Sequence, residues 1–101
     1  MDDQAIASVA ETIKSISHPI RLKILCLLLD GEKSVSDIHD HFPSSYANVS
    51  QHIQKLLNQG LLKATKKANF IYYAIADERT REMMALLQRL YCPPDTTSTM
   101  T

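Results

Sequence analysis

The chain has two glycines and two cysteines in 101 residues, and each scarcity excludes something. With so little glycine no phosphate-cradling loop can be built, and no carboxylate pair or Ser/His/Asp set can be assembled, so an enzyme is not expected. The cysteines, Cys26 and Cys92, stand 66 residues apart, with no CxxC pair and no Cys/His cluster. Structural zinc is therefore not expected, nor any other cofactor, and in a reducing cytosol neither is a permanent structural disulfide. Long hydrophobic runs are missing too. Stretches such as Ile24–Leu29 are far too short to cross a bilayer, and Asp2 and Asp3 stand where a secretory leader carries Lys or Arg. The expectation is a cytoplasmic chain without a membrane partner.

Net charge is absent as well, eleven Lys and Arg balancing eleven Asp and Glu, but the balance is uneven along the chain. Residues 1–40 hold seven acids and four bases, residues 41–76 hold no acid and four lysines, and residues 77–101 hold four acids and three arginines. A segment without acids concentrates a positive field of about +4, the footprint expected where a polyanion docks. An accidental gap in acids is the plainer alternative.

What the chain does have, 45% hydrophobic and 22% charged residues, suits one folded domain with a modest core. Within the positive segment, Val49, Ile53, Leu56 and Leu57 repeat at the spacing of a buried helical stripe. The other face of that helix carries Ala47, Ser50, Gln51 and Gln54, short or amide-bearing side chains of the kind that read base edges. A shorter helix precedes it, opened by Ser34 with Asp37 and holding Val35 and Ile38, and the two are joined by a turn at Phe42-Pro43-Ser44. Helix, turn, helix is the layout that lays a second helix in the major groove of double-stranded DNA. Asn58-Gln59-Gly60 stops that helix.

Two strand-like runs follow, Leu61–Lys66 and Phe70–Ile75, joined by Lys67-Ala68-Asn69. Lys63, Lys66 and Lys67 lie near the tip of this hairpin, so it reads as a wing that touches phosphate or the minor groove. A plain edge hairpin kept soluble by lysine is the alternative. With Ser45, Tyr46 and Lys55 at or on the second helix, these lysines complete the expected DNA interface. Upstream, residues 3–16 form a helix with Ile6, Val9, Ile13 and Ile16 on one stripe. Pro19 opens a nearly all-apolar helix to about Asp30, ended by Gly31. Asp77 caps a last helix to about Tyr91 with apolar Met83, Met84, Leu86, Leu87 and Leu90. The first and last helices offer more apolar surface than a small core can cover, which predicts a homodimer through them and a two-fold DNA site. The fold expected is mainly α with a β-hairpin wing, a winged helix-turn-helix domain over residues 1–92, with residues 93–101 as a disordered polar tail after Pro93-Pro94.

The strings Ser17-His18-Pro19-Ile20-Arg21-Leu22-Lys23-Ile24-Leu25, Val35-Ser36-Asp37-Ile38, Val49-Ser50-Gln51-His52-Ile53 and Gln59-Gly60-Leu61-Leu62 resemble those of ArsR-type winged helix-turn-helix repressors, over roughly residues 8–92. The resemblance implies a homodimer joined by its outer helices, an inverted-repeat operator, and release of DNA on binding an inducer. It places base contacts at Tyr46, Ala47, Ser50 and Gln51, with Val35 at the start of the preceding helix. Many relatives carry Gln where Tyr46 stands, and a packing role for Tyr46 is the alternative.

Metal-sensing members of that family often carry a Cys-x-Cys pair where this chain has Ser34 and Ser36, or Asp and His pairs on the last helix, which here has no His. His39 and His41, two apart, do not share a helical face and read as surface residues. What remains is Cys26 and Cys92. The strings around them, Ile24-Leu25-Cys26 and Arg89-Leu90-Tyr91-Cys92, resemble the dithiol subgroup that senses reactive sulfur species or oxidants. That resemblance implies that the two thiols lie close in one subunit and become bridged. The alternatives are a buried small residue at Cys26 and an incidental thiol at Cys92. Two rival readings of the whole stay open: a metal or arsenic sensor with a non-standard site, and a winged helix turned protein-interaction module.

Overall fold

The computed structural model describes residues 1–92. The expected tail, 93–101, lies outside the described residues. Helix α1 spans Asp3–Ile16 and starts where Asp2 Oδ1 accepts from the Ala5 N–H at 2.8 Å, satisfying one of the first-turn donors that a helix leaves over. Helix α2 spans Pro19–Leu27, with Pro19 in its first turn. Its last turn tightens into a 3-10 turn, Leu28–Asp30, before Gly31 turns away at a φ of 131°. The stretch expected to be helical to Asp30 is thus helical throughout, with a change of pitch at its end.

Strand β1, Lys33–Ser34, comes next and was not foreseen from the sequence. It pairs with the wing's second strand, Lys33 opposite Tyr73 and Ser34 opposite Tyr72, so the expected hairpin is the larger part of a three-stranded antiparallel sheet ordered β1-β3-β2. Two residues carry too little alternation to declare a strand; β1 exists because β3 offers it an edge. Helix α3 is short, Val35–His39, and Ser34 Oγ caps it by accepting from the Asp37 N–H at 3.1 Å. Helix α4 spans Tyr46–Asn58. Strands β2, Leu62–Lys67, and β3, Phe70–Ile75, turn at Ala68-Asn69, with Ala68 at a φ of 57°. Helix α5 spans Glu78–Tyr91 behind the expected Asp77 cap.

The core gathers Ile24, Leu25 and Leu28 from the α2 stretch with Ile38, Val49, Ile53, Leu56 and Met84, all fully or almost fully buried. Because α2 is apolar nearly all round, it packs against both α4 and α5. It therefore connects the helix-turn-helix to the last helix. Among the described residues no helix is long and apolar enough to cross a membrane.

Candidate nucleic-acid interface and thiol pair

Helix α4 separates its faces as the sequence implies. Val49, Ile53 and Leu56 are buried, while Ala47, Gln51, Gln54 and Lys55 are exposed and Ser50 is partly so. Ser45 Oγ accepts from the Asn48 N–H at 3.1 Å as the N-cap, which leaves its own O–H to donate elsewhere. Gln54 Nε2 donates to Asn58 Oδ1 at 3.0 Å, one turn on, so its carboxamide is braced along the helix. Val35, at the start of α3, is half-buried against the core.

Tyr46 opens α4 half exposed, with its ring centroid 5.1 Å from that of His39 in a tilted contact. His39 was expected at the surface and is instead partly buried. Its Nε2 lies 3.0 Å from the Ser44 carbonyl, so the ring holds the turn between α3 and α4 and the first aromatic of α4 together. Spacing between His39 and His41 asked whether the two act as a pair, and so missed a contact made five residues ahead. Tyr46 is thus both packed and presented.

The wing places its lysines on two faces. Across the β2/β3 ladder Lys63 stands opposite Ala74 and Lys67 opposite Phe70, while Lys66 stands opposite Ile71 on the reverse side. Lys63 and Lys66 are exposed. Lys67 forms an ion pair with Glu32 and lies 5.6 Å from the Tyr72 ring centroid, which ties the wing back to the loop before β1. That pair is exposed and of small energetic value by itself. Its effect is to commit one of the three wing charges.

Sequence reasoning gave no role to His18 and His52, which the fold stacks with ring centroids 4.2 Å apart. His18 Nδ1 accepts from the Ile20 N–H at 3.1 Å and so caps α2. The usable signal was a polar residue directly before Pro19 at a helix start. His52, on α4, has a buried Nδ1 without a hydrogen-bond partner among the described residues. Burial first, and then the neighbouring His18, Arg21 and Lys55, hold its pKa below the ordinary value of 6.5. A lowered pKa means that the unfolded chain binds the proton more readily than the folded one. Stability from this site is therefore full above pH 6.5 and lost as the pH falls through the folded value. Urea midpoints measured from pH 7.5 downward are expected to decline below that point, and His52→Gln to flatten the decline. An unchanged slope in the variant would remove His52 as its source.

The two cysteines are both free thiols. Cys26, on α2, is half-buried against the core, and burial pushes its pKa up, with a nearby Cys92 thiolate adding to the rise. Cys92 ends α5 at its C-cap, exposed, its N–H donating to the Gln88 carbonyl at 2.7 Å. Cys26 lies on α2 and Cys92 at the end of α5, two helices that pack against each other. Among the described residues no group of three or more His, Cys, Asp or Glu side chains gathers that could hold a metal ion.

A capped helix with an uncharged, hydrogen-bonding outer face, set beside a lysine-bearing hairpin, defines a winged helix-turn-helix DNA-binding protein. The family model for bacterial regulatory proteins of the arsR family matches residues 18–64. The chain is 35% identical over 86 residues to the transcriptional activator HlyU of Vibrio cholerae, covering 85% of this chain and 80% of that protein. The structure of reduced HlyU from that organism superposes with a TM-score of 0.85 at 33% identity, over 89% of this chain and 95% of the other. The biofilm growth-associated repressor of Xylella fastidiosa is 26% identical, over 83% of this chain and 74% of its own length. The homodimeric winged helix-turn-helix DNA-binding domain of Mb0332 from Mycobacterium bovis gives a TM-score of 0.75 at 31% identity, over 89% and 86% of the two chains. The chain belongs to the ArsR family and is a DNA-binding transcriptional regulator, not an enzyme.

Proposed function

We propose that the protein is a repressor that binds an inverted-repeat operator as a homodimer and changes its grip on DNA when Cys26 and Cys92 are joined in response to a persulfide or an oxidant. The observation that supports the sensing half is two free thiols, one half-buried on α2 and one exposed at the end of α5, on helices that pack against each other. Helix α2 also packs against α4. A bond between the thiols then fixes α5 against the helix that supports the reading head.

The homodimer is supported by what the core leaves uncovered. Helix α1 exposes Ile6, Val9 and Ile13, spaced at i, i+3 and i+7, and α5 exposes Leu86, Leu90 and Tyr91. These stripes lie on the two helices outside the helix-turn-helix, which leaves α4 and the wing free for DNA. The homodimeric Mb0332 domain supports the same assembly.

DNA binding through α4 and the lysines has a measurable signature. On an operator selected from a random duplex pool, log affinity against log salt is expected to fall with a slope of roughly −5 for about six phosphate contacts per dimer. A flat response would transfer the groove and wing to a protein partner. For the sensing half, the purified protein is exposed separately to glutathione persulfide, hydrogen peroxide, oxidised glutathione and zinc, and each product is weighed intact and titrated with operator. A sulfur bridge or disulfide between Cys26 and Cys92 accompanied by altered binding is the expected result. Altered binding with zinc alone, and no bridge with any reagent, would overturn the dithiol reading in favour of a metal site.

A further inference from the structure

The wing ends in apolar side chains that the core does not use. Phe70, the first residue of β3 after the turn, is 61% exposed, and Ile71 beside it is 48% exposed. Apart from Met1, every other large apolar side chain exposed among the described residues lies on α1, on α5 or, as Tyr46, at the start of α4. Those have a place in the proposed dimer or on the reading helix; Phe70 and Ile71 have neither. Lys67 stands opposite Phe70 and Lys66 opposite Ile71, so each apolar residue at the tip has a lysine across the ladder. Phe70 shares its face of the hairpin with Lys67 and Lys63, away from the face by which Leu62 and Ile75 enter the core.

The hairpin behind this tip is stiff, because β1 bonds to β3 at Tyr72 and Tyr73 and Lys67 is anchored on Glu32. A ring on a stiff support loses little further freedom when it docks. Its neighbours decide what it docks on. No acid occurs in residues 41–76, and the lysines around the ring call for a polyanion. A minor groove offers them phosphates on both lips and, between the lips, walls of deoxyribose carbon; at A·T pairs its floor also lacks the amino group of guanine. We infer that Phe70 is a minor-groove wedge: it enters the minor groove adjoining each half-site at an A·T step, with Lys63 and Lys66 on the flanking phosphates. The operator is thereby selected in part by base pairs that α4 does not touch. The inference rests on the proposed binding of a dimer to an inverted repeat, not on the thiols, and it names a further part of the DNA that the protein reads.

The test titrates the reduced full-length protein with operator duplexes whose base pairs on either side of each half-site are A·T, G·C or inosine·C. The last keeps the major-groove edge of G·C but has no amino group in the minor groove. G·C pairs are expected to weaken binding by about tenfold and inosine·C pairs to restore it. Phe70→Ala is expected to bind the A·T duplex about tenfold more weakly and to treat all three duplexes alike. Its salt slope should stay that of the unmodified protein, since a phenyl ring neutralises no phosphate. Phe70→Leu, which keeps an apolar wedge, is expected to recover most of the affinity. Discrimination that survives in Phe70→Ala, or none in the unmodified protein, would overturn the wedge while leaving operator binding standing. Full affinity of Phe70→Ala for the A·T duplex would do the same and leave the tip to a protein partner. Failure of the unmodified protein to bind any duplex would overturn both.

Discussion

Gln51→Glu is expected to weaken operator binding by on the order of 100-fold, about 1.4 kcal/mol at each of two half-sites and so toward the lower end of the range of a good base contact. The substitution changes almost nothing in shape. Gln51 is exposed on α4, one position past Ser50, and makes no hydrogen bond within the described residues, so the folded chain does not depend on its amide. On DNA the amide can give a proton to one base acceptor and take one from a base donor, and the carboxylate loses the first while bringing a negative charge against phosphates. Gln51→Ala, which removes the contact without the repulsion, is expected to cost about 30-fold, about 1 kcal/mol at each half-site. Anisotropy titrations at fixed salt measure both, and unchanged far-ultraviolet circular dichroism shows that the helix is intact. Full affinity in Gln51→Glu would mean that α4 does not present this face to the groove.

The second large effect is on the switch. The double substitution Cys26→Ser with Cys92→Ser is expected to bind operator as the reduced protein does and to lose its response to persulfide entirely. In the unmodified protein the same treatment is expected to change affinity by about 5- to 150-fold, the usual span of coupling between two sites. The single variants separate the roles. Cys92 is exposed and Cys26 half-buried with its pKa pushed up, so Cys92 is expected to attack first. Cys26→Ser should therefore accumulate an added sulfur on Cys92 without bridging, and Cys92→Ser should react slowly. A response retained in the double variant would end the dithiol role.

The parts of this molecule that were legible in the sequence are those built from local rules. The α4 stripe, the Ser34 cap, the Asp77 cap and the wing's strands each rest on residues within a few positions of one another, and the structure places them as expected. What the sequence hid depends on distant partners. Strand β1 is two residues long and forms only against Tyr72 and Tyr73, about forty positions away. His39 became a brace for the turn because Ser44 and Tyr46 fold back to it, and His18 met His52 only when α2 crossed α4. The thiol pair was named through resemblance, since nothing in a separation of 66 residues implies contact.

Strand β1 has a mechanical consequence. It leads directly into α3, and it is bonded to the strand that carries the wing, so helix-turn-helix and wing share one continuous backbone lattice. The wing then has no hinge of its own. A motion that loosens the hold on DNA is then expected to be a rotation of each whole reading head about the joint between protomers of the proposed dimer. With recognition helices about 34 Å apart on successive turns of the duplex, a rotation of about 6° in the proposed dimer displaces each of them by roughly 2 Å. A single sulfur bond near that joint can therefore act as the short arm of a lever whose long arm ends in the groove.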